Sequence, residues 1–373
     1  MIGSSPQLWS VLTLNRQDYR WIRIKLPEFL HADTTSVYFE GQYEDENGQP
    51  KRGRGERVPM VVERYNKDGQ CNKAQLVLSL ITSGRVALWY RPWDGNQTDD
   101  SVYLADMTAL REILLPTSNT VLIGDRKLCN EETMVTLCRQ KQLFIGAHPW
   151  TDAAKAVWLE TWQELQAGRL TWSDVEYVNR NNARKPAEKR PRYQVCEIVC
   201  ELKDEKDRSA YLLRWVFTRS SDKAQRDSQQ RAKAVQAGEK ALRRIAGLMG
   251  KYDYASRKTI EARIGKALRQ AKAPPYFTYT LSGTDENQDW RLEWSRAQEA
   301  ITQAERFDGI VLLCTNVRRE RLTAGEVMVK YKEQVNVEQS SDFIKSPVQV
   351  RPMWLHSPKR LAELLLLTGL WRK

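Results

Sequence analysis

Thr117–Leu128 reads TSNTVLIGDRKL, and the four residues Val121 to Gly124 form a short apolar run between polar residues and an acid, Asp125. Such a run, bounded by turn-forming residues, predicts a strand buried on both faces, the kind found inside an α/β sheet. A strand of this type delivers the next side chain to the end of the sheet. Here that side chain is a carboxylate.

Upstream, EFLHADTTSVYFEG (28–41) is rich in β-branched and aromatic residues and predicts a strand that carries Asp33. QYEDENGQPKRGRGER (42–57) has the Gly, Pro and charge content of a long exposed loop. AQLVLSLITSG and RVALWYRPWDGN predict two strands turning at Ser83-Gly84, and SVYLADMTALREIL a helix with Asp100 as its N-cap. Downstream of Asp125 come a helix near Glu131 to Lys141, the strand QLFIGAH, and a helix near Asp152 to Ala167. This order predicts a mixed α/β sheet with acids on neighbouring strands.

The middle of the chain changes character. Asn179 to Arg192, NRNNARKPAEKRPR, is basic and Pro-containing and reads as a flexible crossing. RYQVCEIVCEL and AYLLRWVFTRS read as paired strands, followed by charged helical stretches at about Asp222–Gly250 and Ser256–Lys272 and by strand-like YFTYTLSG and WRLEWSRA. FDGIVLLCTN predicts another buried strand, Thr323 caps a further helix, and SPKRLAELLLLTGLW predicts a final apolar one. The expected divisions are a short N-terminal remnant (1–27), a first core segment (28–170), an α+β insertion subdomain (171–305) and a second core segment (306–373).

With 373 residues, 41% of them hydrophobic, the chain can bury a substantial core. Its 59 Lys+Arg against 47 Asp+Glu give a net charge of +12, which favours polyanionic partners, nucleic acid first. No apolar run is long enough to span a bilayer, and the start lacks the pattern of a secretory signal. The expectation is therefore a cytoplasmic protein with no membrane partner. Six scattered cysteines and three histidines make a zinc site a poor expectation, and the Cys196/Cys200 pair fits strand spacing. A hard cation held by carboxylates suits the composition better.

YKEQVNVEQSSDFIK (331–345) supplies a third acid. At about 100° per residue, Tyr331, Gln334, Glu338 and Lys345 fall within a stripe roughly 60° wide. An Asp at a strand end is commonly a turn or helix cap, a helical Glu is commonly solvated, and a lysine late in a helix complements its dipole. Beside these readings stands a catalytic one: two aspartates and a glutamate that converge can hold a pair of divalent ions for phosphoryl transfer.

The chain resembles insertion-sequence transposases with an Asp-Asp-Glu site on a ribonuclease-H-like core, in the branch marked by the helix signature Tyr-x2-Arg-x3-Glu-x6-Lys. The stretches that carry the resemblance are HADTTSVYFEG, WDGNQTDD, VLIGDRKLCNEE, RSSDKAQRDSQQRAKA, FDGIVLLCTN and KSPVQVRPMWLHSPKRLAELLLLTGL, together with Tyr331, Gln334, Glu338 and Lys345. It implies that Asp33, Asp125 and Glu338 are catalytic and bind Mg²⁺, with Mn²⁺ as a substitute. It further implies metal-dependent cleavage and strand transfer at insertion-sequence ends by a DNA endonuclease and polynucleotidyl transferase. The partners would be double-stranded DNA, as terminal inverted repeats and target, and a second copy of the chain in a homodimer on DNA. The setting would be a prokaryotic, nucleoid-associated one. Tyr331, Gln334 and Lys345 would touch DNA, with Arg126 and Lys127 beside the second acid.

Two features depart from the family pattern. Gln334 replaces the signature Arg, and an amide offers no charge or guanidinium fork. Asp342 stands where a basic residue is usual, and only 32 residues precede Asp33. The second reading is thus a truncated or inactive remnant that binds DNA without cutting, and a third is a nuclease of the same fold acting on RNA–DNA hybrids. Trp215, Trp290 and Trp294 could stack on an unpaired base or pack in a core. Arg243, Arg244, Arg257, Lys258 and Arg263 could follow a DNA backbone or form solvated helix faces.

Overall fold

The computed structural model describes residues 27–39, 43, 59–63, 74–84, 86–97, 99–113, 119–251, 254 and 256–334. The 42–57 loop (Tyr43 aside), the final apolar helix, Glu338, Asp342 and Lys345 lie outside the described residues. The fold is mixed α/β, with one large mixed sheet and flanking helices. Two compact units divide it: Met1–Trp150 with Glu197–Val216 and Leu312–Lys373, and Thr151–Cys196 with Phe217–Val311.

In the first unit the strands are β1 (Phe29–Phe39), β2 (Val62–Glu63), β3 (Ala74–Ser83), β4 (Val86–Trp93), β5 (Val121–Gly124) and β6 (Leu143–Ala147). The helices α1 (Asp99–Ile113) and α2 (Glu131–Arg139) lie between them in sequence. Numbering on through the second unit, β12 (Ile310–Thr315) and α8 (Ala324–Lys332) close the described chain. Spatial order is β2-β3-β1-β5-β6-β12, with β4 also paired to β3. The β1–β5 and β5–β6 pairs are parallel; β1–β3, β3–β4 and β6–β12 are antiparallel.

Register explains the core. Leu30, Leu122 and Phe144 sit side by side across β1, β5 and β6, and Ala32 sits opposite Ile81. Alternation sends these to one face, where Tyr103, Met107 and Leu110 of α1 and Met134 and Leu137 of α2 cover them. Phe29, His31 and Asp33 therefore point to the other face, where α8 packs on β5 and β6 and Lys330 Nζ lies 4.6 Å from the Phe29 ring centre. The expected turn is present, with Gly84 at φ 57°, a left-handed geometry that glycine adopts without strain. Asp100 does not cap α1, because the helix already starts at Asp99. Thr323 does cap α8, through a reciprocal capping box with Glu326.

The second unit contains α3 (Asp152–Gln166), β7 (Ser173–Val175), α4 (Arg180–Ala183), α5 (Ser221–Ala246), α6 (Arg257–Gln270), β10 (Phe277–Ser282), β11 (Arg291–Arg296) and α7 (Gln298–Glu305). Strands β8 (Tyr193–Lys203) and β9 (Ala210–Ser220), like β12, cross the division between the units. α5, α6 and the β10–β11 hairpin enclose a core that includes Leu242, Ile264, Phe277, Trp290 and Leu292. A Cβ on Gly238 would come within 2.6 Å of the Phe277 ring, so only glycine permits α5 to lie this close to β10.

Part of the expected crossing at 179–192 is ordered. Asn179 and Asn182 each donate a backbone N–H to the other's side-chain oxygen, at 2.7 and 3.0 Å, and this reciprocal pair nucleates α4. Sequence reading also missed β7, which is three residues long, and α7, whose N-cap is an alanine without a side-chain cap.

Candidate active site

Asp125 begins the turn that follows β5. Its carbonyl accepts from Leu128 N at 3.2 Å, and its Oδ1 accepts from Lys127 N at 3.0 Å and from the Tyr103 hydroxyl at 3.0 Å. Both side-chain bonds fall on one oxygen, so the carboxylate is oriented while it stays half-exposed. Gly146 makes this turn possible: a Cβ there would lie 2.5 Å from Cys129 Sγ. Arg126 and Lys127 are exposed at the mouth of the turn.

Asp33 is half-buried on β1 and sits opposite Leu80 of β3. The last paired residues of β1 and β5 are His31 and Ile123. Asp33 lies two residues beyond the last paired residue of β1, still on the strand, and Asp125 lies two residues beyond that of β5, in the turn that follows it.

The helix that carries the third part of the signature is placed only in part. Tyr331 is half-buried near the end of α8. Gln334 is 4% exposed and its Oε1 has no hydrogen-bond partner. Lys330, one turn before Gln334, is held by Glu333 at 3.2 Å and faces the β1 side chains. Among the described residues no group of three His, Cys, Asp or Glu side chains lies close enough to hold a metal. Glu338 and Lys345 are outside that set.

Two buried titratable groups of the first unit escaped sequence reading. His31 is 1% exposed, and burial, with Lys330 adding to it, pushes the imidazole down to about 4, so the ring beside Asp33 is neutral at neutral pH. Asp106 on α1 is equally buried, and burial pushes its carboxyl up to about 6 against the pull of Ser79, Arg91, Trp89 and Trp93. The available signal was the spacing of Tyr103, Asp106 and Leu110, which share one helix face with apolar neighbours.

No family model and no curated protein matches the chain. Solved structures similar to it include "Mos1 transposase paired-end complex with left transposon end", at 16% identity and TM-score 0.20, over 31% of this chain and 34% of that one. Another is a piggyBac transposase synaptic complex with hairpin DNA, at 9% identity and TM-score 0.27, over 92% of this chain and 52% of that one. The chain spans about a third and about half of their respective lengths. Likenesses at these scores do not define a fold.

The tryptophans have packing roles. Trp290 is 6% exposed inside the second unit's core and Trp294 packs against it. Trp215 lies against the His148 ring at 4.8 Å. Of the helix arginines, Arg243 pairs with Glu239, Arg257 with Glu261, and Arg263 covers Tyr254. Among the described residues no helix is long and apolar enough to cross a membrane.

Proposed function

We propose that the chain is a DNA-cleaving and strand-transferring enzyme of the insertion-sequence transposase type. In this reading residues 28–170 and 306–373 form a ribonuclease-H-like core and 171–305 an insertion subdomain. The observation that supports the proposal is the parallel pairing of β1, the strand that carries Asp33, with β5, the strand that Asp125 follows. Glu338 would complete the acid set from the helical stripe that also holds Tyr331 and Gln334.

The donors suit Mg²⁺ or Mn²⁺. Hard divalent ions take carboxylate oxygens, and the nearest imidazole, His31, is buried away from solvent. Asp33, Asp125 and Glu338 would hold the metal, which when bound neutralises charge at the phosphodiester and favours deprotonation of the attacking hydroxyl. The chain's own residues do the rest. Tyr103 holds one oxygen of Asp125 in place, leaving its partner oxygen for ligation. Arg126, Lys127, Tyr331 and Lys345 would position the DNA backbone, so that water displaces the 3′-oxygen in line. The freed 3′-hydroxyl would then attack a target phosphodiester. Terminal inverted repeats and target duplex are the proposed substrates, with a homodimer on DNA as the acting form.

The test is a Mg²⁺-dependent cleavage assay on the element's own ends. Asp125→Ala should abolish cutting while DNA binding stays nearly intact. Cutting by the purified variant at the wild-type rate sinks the site assignment. Binding without cutting by the unaltered chain supports the reading of an inactive protein that binds DNA instead.

A further inference from the structure

The second unit holds a cavity of about 840 Å³ whose lining includes Tyr177, Arg190, Arg192, Arg219 and the acids Asp174 and Glu176. Its three guanidinium groups have a common property: none is paired with a carboxylate of the described residues. Arg190 donates from Nε to the Lys185 carbonyl at 3.0 Å and from Nη2 to the Ala183 carbonyl at 3.2 Å. Carbonyls fix the side chain without cancelling its charge, and the remaining donors stay available. Arg192 is exposed, and its backbone is stapled to the start of α5, accepting from Ser221 N and donating to Ser221 Oγ, each at 3.0 Å. Arg219 is half-buried on β9 and lines the same cavity. By contrast Arg169 and Arg231 of this unit are forked onto carboxylates.

Against these arginines the lining sets two carboxylates, Asp174, which accepts from Gln194 Nε2 at 3.0 Å, and Glu176, so the positive groups exceed the negative ones by a single charge. Three like charges held in one concavity repel each other and gain when an anion enters. A phosphodiester suits them best, because a guanidinium grips two phosphate oxygens at once. We infer that this cavity is a phosphate-backbone site for a nucleic-acid strand, held by Arg190, Arg192 and Arg219. It shares its nucleic-acid partner with the function proposed above but needs none of the acids of the first unit.

The experiment uses the full chain without divalent metal, so that failure of the catalytic reading leaves it unaffected. Fluorescence anisotropy with labelled duplex and with labelled single strand is measured from low to high salt. Loss of two phosphate contacts in Arg192→Ala/Arg219→Ala should lower the salt slope by about two and weaken binding about tenfold or more. Ala187→Glu adds a negative charge at the exposed rim without removing any arginine contact. It should weaken binding in the same direction even if the double variant does not fold. Inorganic phosphate serves as the competing probe. An unchanged salt slope in folded variants, or variants that alter only inorganic phosphate binding, overturns the assignment.

Discussion

The hydroxyl of Tyr103 on α1 donates to Oδ1 of Asp125 across 3.0 Å, tying a helix residue to the acid at the end of β5. Lys127 N donates to the same oxygen at 3.0 Å. A carboxylate oriented by two donors on one oxygen presents the other in a defined direction, which is what ligation of a metal or a phosphate network requires.

Tyr103→Phe removes one of these donors and keeps the ring, which is 2% exposed in the core. Stability should fall by about 1 kcal/mol, the usual net worth of such a bond. The Mg²⁺-dependent cutting rate should fall about tenfold or more, as when an outer-shell partner of a metal ligand is lost. DNA affinity should be unchanged. Single-turnover cleavage and anisotropy separate the two, and an unaltered cutting rate would remove Tyr103 from the site.

Arg214 on β9 is 8% exposed and donates to the carbonyls of Val317 at 3.0 Å and Leu322 at 2.8 Å, while pairing with Glu197. Arg319 holds the other Glu197 oxygen at 3.1 Å. These bonds fix the loop that leads into α8. Arg214→Ala leaves a half-buried carboxylate with one partner and two carbonyls without theirs, so a loss of about 3 kcal/mol is expected in urea unfolding. Amide exchange over Leu322–Lys332 should quicken more than over α2. Uniform change across both helices would show that Arg214 does not anchor α8 specifically.

Acid and base act in opposite directions on stability through two buried groups. Asp106 rises from 3.8 to about 6 on folding, so the native state holds a proton that the unfolded chain releases. Its contribution is most favourable below 3.8 and is lost as pH rises through 6. His31 falls from 6.5 to about 4, so its contribution is present above 6.5 and is lost as pH drops through 4. Asp106→Asn should therefore remove the stability that wild type loses between about pH 4 and 6. His31→Gln should remove the acid-side loss between about pH 6.5 and 4. Denaturant midpoints for wild type and both variants at pH 4, 5, 6 and 7 read these slopes directly. Curves that stay parallel to wild type would exclude both groups.

Much of the arrangement was legible from local chemistry. The apolar run before Asp125, the β-branched run around Asp33 and the capping residue Thr323 each appear as strand, strand and helix start, because short-range patterning sets them. The Asp100 cap failed because the helix already starts at Asp99, and helix ends depend on few and weak interactions. α4 escaped notice because its order comes from a reciprocal asparagine pair inside a basic, Pro-containing stretch.

What the chain's sequence determined by itself is which residues are acidic, basic or apolar along each strand and helix, and so which faces must be buried. Periodicity alone supplies that, because it follows from bond geometry within one element. The tertiary structure decided that β1 lies beside β5 in parallel, that Tyr103 reaches Asp125, and that Arg219 lines one cavity with Arg190 and Arg192. These relations join residues tens of positions apart, and they arise only when strand pairing and core packing fix the register.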